Sequence, residues 1–342
     1  MHTSDDLLVL TSSGLYCPEA DVYIDPWRPV RHALITHAHA DHARRGSTQY
    51  LAHAHSASVL KLRLGADIQL QTIAYGVPLV HRGVHITFFP AGHIPGSAQI
   101  RLKGKHQTWV VSGDYKVRPD GLTPAFEPVS CSHFISECTF GLPAFQFPPQ
   151  QQVLHDICQW WNVNRQKGKN SLLFAYSLGK AQRLIHHLQK EEGPLWVHPS
   201  IFHVQEALLA DGFPVQPVLS TADLPKDLPK GAMIIAPPAV MDSSWLKRFQ
   251  PLETAYVSGW MHIRGIRRRT PTDRGFVLSD HADWNELHEA VKATGAENVL
   301  FTHGYTEECA QWFPSLGVDA RVLRTPFTGD CVPGDVSEDS AS

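Results

Sequence analysis

A chain of 342 residues with 43% hydrophobic and 18% charged side chains has material for one large core or two ordinary ones, which excludes extended disorder for its body. A formal net charge of −3 excludes a uniformly basic surface, though not a local basic patch. The acidic start Met1-His2-Thr3-Ser4-Asp5-Asp6 reads as no secretory signal, no apolar run is long enough to span a membrane, and six scattered cysteines without a Cys-x-x-Cys pair read as reduced thiols, so the expected location is cytoplasmic.

Short apolar runs recur along the chain, and each ends in polar residues. Ala33-Leu34-Ile35-Thr36 runs into His37-Ala38-His39-Ala40-Asp41-His42, and His85-Ile86-Thr87-Phe88-Phe89 into Ala91-Gly92-His93. Trp109-Val110-Val111-Ser112 leads to Gly113-Asp114, and Phe134-Ile135-Ser136 to Glu137. Phe276-Val277-Leu278 leads to Ser279-Asp280-His281, and Val299-Leu300-Phe301-Thr302 to His303. Runs this short, rich in β-branched and aromatic residues, predict buried strands. Polar groups just past strand ends are where α/β enzymes gather their chemistry. Helices are expected over Ser177–Lys190, over a stretch near Val153–Trp161, and after Asp283, an N-cap candidate, with Gly295 as the stop.

Between Phe145 and about Arg264 no strand ends in such a cluster. The segment opens on Phe147-Pro148-Pro149-Gln150 and has helix and strand signals of its own. The expected organisation is a discontinuous α/β domain, 1–144 with 265–328, interrupted by an inserted domain, 145–264, and followed by a loose acidic tail, 329–342.

His37-x-His39-x-Asp41-His42 is the strongest chemical signal, with four candidate ligands in one turn-sized stretch. Imidazole together with carboxylate suits zinc, with manganese as the alternative. His93, Asp114 and His303 each follow a strand beside a glycine, which permits close backbone approach. The expected partition places His37, His39 and His93 on one metal and Asp41, His42 and His303 on a second, with Asp114 bridging. Two divalent ions held this way can activate water and clamp a phosphoryl group.

These clusters, with Asp25, resemble the metallo-β-lactamase fold, an αββα sandwich. Glu137 in Ser136-Glu137-Cys138-Thr139, His281 in Ser279-Asp280-His281-Ala282-Asp283 and His303 in Thr302-His303-Gly304 resemble the A, B and C motifs of the β-CASP nucleases. Tyr23-Ile24-Asp25-Pro26-Trp27-Arg28-Pro29, Phe174-Ala175-Tyr176-Ser177-Leu178-Gly179-Lys180-Ala181-Gln182-Arg183 and Ser258-Gly259-Trp260-Met261 are similar to the bacterial DNA-ligase-associated exonuclease family. The resemblance covers all but the last dozen or so residues. It implies an inserted β-CASP domain, metal-dependent hydrolysis of DNA in repair, and a DNA ligase and a helicase of one pathway as partners. A histidine at motif C is typical of RNA-processing members, so an RNA nuclease is the main rival. A lactonase or thioesterase, and a metal-dead scaffold, are lesser ones.

On this reading Asp41 orients the nucleophile, Asp114 holds both ions, His281 protonates the leaving oxygen, and Glu137 orients His281. Asp25 supports the ligand loop by hydrogen bonds. Ser177, Gly179, Lys180 and Arg183 at a helix start are expected to hold a phosphate. Arg264, Arg267, Arg268 and Arg269 are expected to contact the nucleic-acid backbone. Trp260 or Phe140 could stack on bases or sit in the core. No role falls to His53, His55, His81, His85, His186, His187 or His198.

Overall fold

The computed structural model describes residues 6–190, 193–224 and 230–326. The expected acidic tail lies outside them. In chain order the strands open with β1 (Val9–Leu10), β2 (Leu15–Cys17), β3 (Val22–Ile24), β4 (His32–Leu34) and β5 (Gln49–His53). Helix α1 (Ala57–Leu64) follows, then β6 (Leu70–Ile73), β7 (Pro78–His81), β8 (Val84–Pro90), β9 (Ala98–Lys103), β10 (Thr108–Val111) and β11 (His133–Cys138). Next come α2 (Gln150–Gln166), β12 (Asn170–Phe174), α3 (Lys180–Leu188), β13 (Leu195–Val197), α4 (Pro199–Ala210), β14 (Leu219–Ser220) and β15 (Met233–Ala236). The chain continues through β16 (Leu252–Val257), α5 (Arg264–Arg269), β17 (Arg274–Phe276), α6 (Trp284–Thr294), β18 (Asn298–Gly304), α7 (Thr306–Trp312) and β19 (Asp319–Val322).

Two compact units result, one comprising residues to Gln146 together with those from His281, the other Phe147–Asp280. The first is an α/β sandwich. Its sheets run β1-β2-β3-β4-β5-β6 and β19-β18-β11-β10-β9-β8-β7 among the described residues. Side chains alternate across each strand, and this assigns them to layers. Trp109 and Val111 join Ile24, Leu34, Leu51, Phe88 and Ile100 in the core between the sheets. Val110, Phe134, Val299 and Phe301 face the other way, where α6 supplies Leu287 and Val291 and α7 leads to Phe313. The N-cap expectation for Asp283 holds: its carboxylate accepts from Asn285 N and Glu286 N, 3.0 Å each, and Gly295 ends α6 at φ 63°.

The second unit is built on a parallel sheet, β14-β13-β15-β12-β16-β17. Its central strands β12 and β15 are buried at every residue, as a parallel sheet covered on both faces requires. α2 contributes Val153, Ile157 and Trp161 to its core, and α3 contributes Ala181, Leu184 and Leu188. Two expectations change here. Strand β17 pairs with β16, so the run at Phe276 belongs to this unit, which extends to Asp280 rather than ending at 264. Lys180 and Arg183 are buried and face a carboxylate. Lys180 Nζ lies 3.1 Å from Asp280 Oδ2, and an Arg183 guanidinium nitrogen lies 2.9 Å from Oδ1 and donates to Ser279 O at 2.6 Å. The helix start is likewise engaged internally: Gly179 N donates to Gln182 Oε1 at 2.7 Å, and the Ser177 and Ser200 hydroxyls lie 3.0 Å apart. These groups organise the unit instead of presenting donors to a phosphate. Phe140, in the first unit, and Trp260, in the second, are both buried and belong to packing.

Among the described residues no helix is long and apolar enough to cross a membrane. Removing one partner from a buried ionic network strands the others, at about 3–5 kcal/mol. Asp280→Ala is therefore expected to lower the unfolding free energy by about that much in urea titration, with Lys180 and Arg183 left facing no anion. A change below about 1 kcal/mol would show that the network contributes little.

Candidate metal centre

Several strand ends that feed the site are held by specific local devices. Asp25, just past β3 at φ 43°, accepts from Thr36 N at 2.8 Å and from Thr36 Oγ1 at 2.5 Å. The same carboxylate lies 2.7 Å from His42 Nδ1, which turns His42 Nε2 inward. His42 N and Ala43 N both donate to His39 O, folding residues 39–43 into a tight turn. Arg63 of α1 donates to Ala38 O at 2.7 Å and pins the middle of that loop. Gly113 takes φ 56°, and a Cβ there would lie 2.7 Å from Thr36 Cβ; this close approach brings Asp114 to the His37 loop. Thr36 thus touches both Asp25 and the Asp114 turn.

Three donor groups converge. His37 Nε2 and His93 Nε2 each lie 3.2 Å from His39 Nδ1, and they lie 3.4 and 3.8 Å from Asp114 Oδ2. The other Asp114 oxygen, Oδ1, is 3.5 Å from His42 Nε2 and 3.3 Å from His303 Nδ1. Glu137 and His281 form the third group with Asp114. Asp41 stands at the rim of the second set: its side chain is one-third exposed (33%) and its Oδ2 lies 3.6 Å from His42 Nε2.

The residues fit divalent metal ions on two grounds. Four donors around a tetrahedral ion with bonds of about 2.1 Å sit about 3.4 Å apart. The His37–His39–His93–Asp114 separations bracket that value. The electrostatics agree. Burial, reinforced by neighbouring His42, holds His37 well below the usual histidine range, and burial with nearby His281 does the same to His93. Neutral imidazoles with exposed lone pairs are what a metal ligand requires. Burial favours the neutral acid at Asp114, but His42, His281, His303 and His37 outweigh it and keep the carboxyl well below its usual range. Burial would likewise depress His42, yet Asp114, Asp41 and Asp25 raise it to about 10. Buried carboxylates thus concentrate a field that attracts positive charge.

Glu137 has little capacity left for a metal. One oxygen accepts from Tyr115 N at 3.1 Å and lies 2.8 Å from His281 Nδ1; the other accepts from Thr139 N and Thr139 Oγ1 at 3.1 and 2.5 Å. It fixes the His281 ring through Nδ1.

Residues 114–118 tie the loops together, a role that no motif in the sequence marks. Tyr115 O accepts from Ala282 N at 2.7 Å, next to His281. Buried Lys116 donates to Gly92 O, next to His93, at 2.7 Å and to Asp120 at 2.8 Å. Arg118 N donates to Glu286 at 2.6 Å and its guanidinium to Asp283 at 3.0 Å. Gly92 is required where Lys116 O lies 2.2 Å from its missing Cβ. Of the expected nucleic-acid contacts, Arg264, Arg267, Arg268 and Arg269 lie exposed on α5 in the second unit. Groups that orient metal ligands are worth about 10- to 100-fold in metal affinity. Lys116→Met should therefore weaken metal retention about tenfold or more in competition with a chelator, while the far-ultraviolet dichroism stays native. Unchanged retention would mean that the His93 loop holds its place unaided.

No protein-family model matches the chain. It is 32% identical over 316 residues to a probable DNA ligase from Opitutus terrae; the match covers 90% of this chain and 30% of that protein. The chain thus spans under a third of this relative's length. Over 119 residues, 34% of this chain and 15% of that protein, it is 29% identical to Endoribonuclease YSH1 from Kluyveromyces lactis. The fold is shared with the crystal structure of a protein of unknown function from Enterococcus faecalis, with a TM-score of 0.58 at 10% identity, covering 86% of this chain and 79% of that one.

Proposed function

We propose that the chain is a metal-dependent nuclease that hydrolyses phosphodiester bonds in DNA, as an exonuclease of cytoplasmic DNA repair acting beside a DNA ligase and a helicase. The observation that carries this reading is Asp114, whose two oxygens face separate imidazole sets while His281 stands within the same cluster. His37, His39 and His93 would hold one divalent ion and His42, His303 and Asp41 the other, with Asp114 shared and zinc favoured over manganese by the imidazole-rich donors. When bound, such ions supply Lewis acidity that eases deprotonation of water near neutral pH and offsets the charge of a phosphate.

The chain's own residues do the rest. Asp41, partly exposed at the rim, accepts a hydrogen bond from the attacking water and aims it. His281 Nε2, with Nδ1 anchored on Glu137, gives a proton to the departing sugar oxygen. Glu137 is spent on hydrogen bonds and acts only through that ring. Residues 147–280 serve as the inserted β-CASP domain, and the arginines of α5 contact the phosphate backbone of the strand. The similarity that spans most of the chain is to a protein named as a DNA ligase, which favours DNA; the shorter similarity to an endoribonuclease, together with His303, keeps RNA as the second reading.

The test is incubation of end-labelled DNA and RNA strands of matched sequence with the purified chain under a panel of divalent ions. Shortening of DNA in preference to RNA is expected, and strong preference for RNA would overturn the DNA assignment. Asp114→Ala should abolish turnover and lose metal. His281→Ala should lose turnover by about 10²–10⁴-fold yet keep its metal content. A His281→Ala protein that loses metal would make His281 a ligand instead of a proton donor.

A further inference from the structure

The metal-bearing unit carries a second basic surface, distinct from the α5 arginines. In the ligand loop His37 and His42 are buried while His39 and Asp41 are partly exposed, and past buried Ala43 the chain surfaces at Arg44 and Arg45, both exposed. Arg44 thus stands two residues past the donor His42. A neighbouring loop, past β3, adds exposed Arg28 and Arg31.

The two loops are built against one another. Thr48 N donates to Val30 O at 2.9 Å, Gln49 N to Arg31 O at 3.0 Å, and Val30 N to Ser47 Oγ at 3.2 Å. Gly46, at φ 111°, packs where a Cβ would lie 2.9 Å from Pro29 Cγ. Buried Tyr50 staples the arginine turn from below: its hydroxyl accepts from Ser47 N at 2.9 Å and donates to Arg44 O at 2.8 Å. Four guanidinium groups are thus mounted on a braced backbone. Among the described residues Arg45 pairs with Asp67 at 3.3 Å, exposed at both ends, and this pair holds little of that charge. On a chain of net charge −3 a cluster of this kind is local, not part of a general basicity.

We propose that Arg28, Arg31, Arg44 and Arg45 form a phosphate-backbone track that holds the uncleaved part of a nucleic-acid strand beside the metal centre. This rests on the phosphodiesterase reading and extends it: specificity for a polymer over a small diester comes in part from this track. Guanidinium groups suit phosphate oxygens through paired N–H donors, and the track reads charge, not sequence.

The experiment measures binding and chemistry separately. Fluorescence anisotropy of a labelled single-stranded DNA of about 20 nucleotides, in chelator so that no hydrolysis occurs, gives affinity at several salt concentrations. Hydrolysis of bis(4-nitrophenyl) phosphate with added metal reports the chemistry without a strand. The variants are Arg44→Glu/Arg45→Glu, the milder Arg44→Gln/Arg45→Gln, and a control of equal charge change, Lys103→Glu/Lys105→Glu, at the exposed far end of β9. Both arginine variants are expected to weaken strand binding, the reversal by about tenfold or more, and the glutamine pair to lower the salt slope by about 1.4. Small-diester turnover should be unchanged, and the lysine control should bind as the parent does. Equal affinity for parent and arginine variants, or an equal loss in the lysine control, would overturn the track. Failure of the parent to hydrolyse the small diester would instead count against the phosphodiesterase reading, while the anisotropy would still decide the track.

Discussion

The site depends on burying one ionised carboxylate among imidazoles. Asp114 is 4% exposed and has a ring nitrogen within 3.5 Å of each oxygen. A carboxylate in such surroundings stays charged only if positive charge or strong donors face it. The neighbouring chain is arranged around that requirement. Gly113 and Thr36 allow Asp114 to reach the ligand loop, Asp25 turns His42 toward it, and Lys116 secures the loop that carries His93. The same segment reaches the opposite side through Tyr115 and Arg118, which hold the turn carrying His281. The placement of the converging donors and of His281 is thus referred to a single short stretch of backbone.

The division of labour between the carboxylates follows from their hydrogen bonds. Asp114 offers both oxygens to imidazoles, whereas both Glu137 oxygens are committed to Tyr115, Thr139 and His281. Asp25 is committed to Thr36 and His42. Asp41 alone of the four stands at a partly open rim. Four similar side chains thus stand in four different surroundings.

The converging donors were legible in the sequence because four crowd into one loop and because each later member follows an apolar run next to glycine. The sandwich was legible for the same reason, since period-two runs assign residues to its layers. The second unit's boundary was less so. Phe276-Val277-Leu278 has the same pattern whichever sheet it joins, and only pairing with β16 decides. Ser177-Leu178-Gly179-Lys180 reads as a phosphate cradle until Asp280, a hundred positions away, is seen between Lys180 and Arg183. The bracing by Lys116 and Arg118 carries no local signal, because Gly92, Asp283 and Glu286 lie in distant loops. Arg44 and Arg45 stood in plain view beside the strongest motif, yet their bracing by Tyr50 and by the Arg28–Arg31 loop exists only in three dimensions.

Anomalous diffraction at the zinc edge, from crystals grown with the ion, addresses the shared carboxylate most directly. Two peaks about 3.5–4 Å apart are expected, one among His37, His39 and His93 and one between His42 and His303, with Asp114 reaching both. A lone peak in either set, or density seated between Glu137 and His281, would contradict the arrangement.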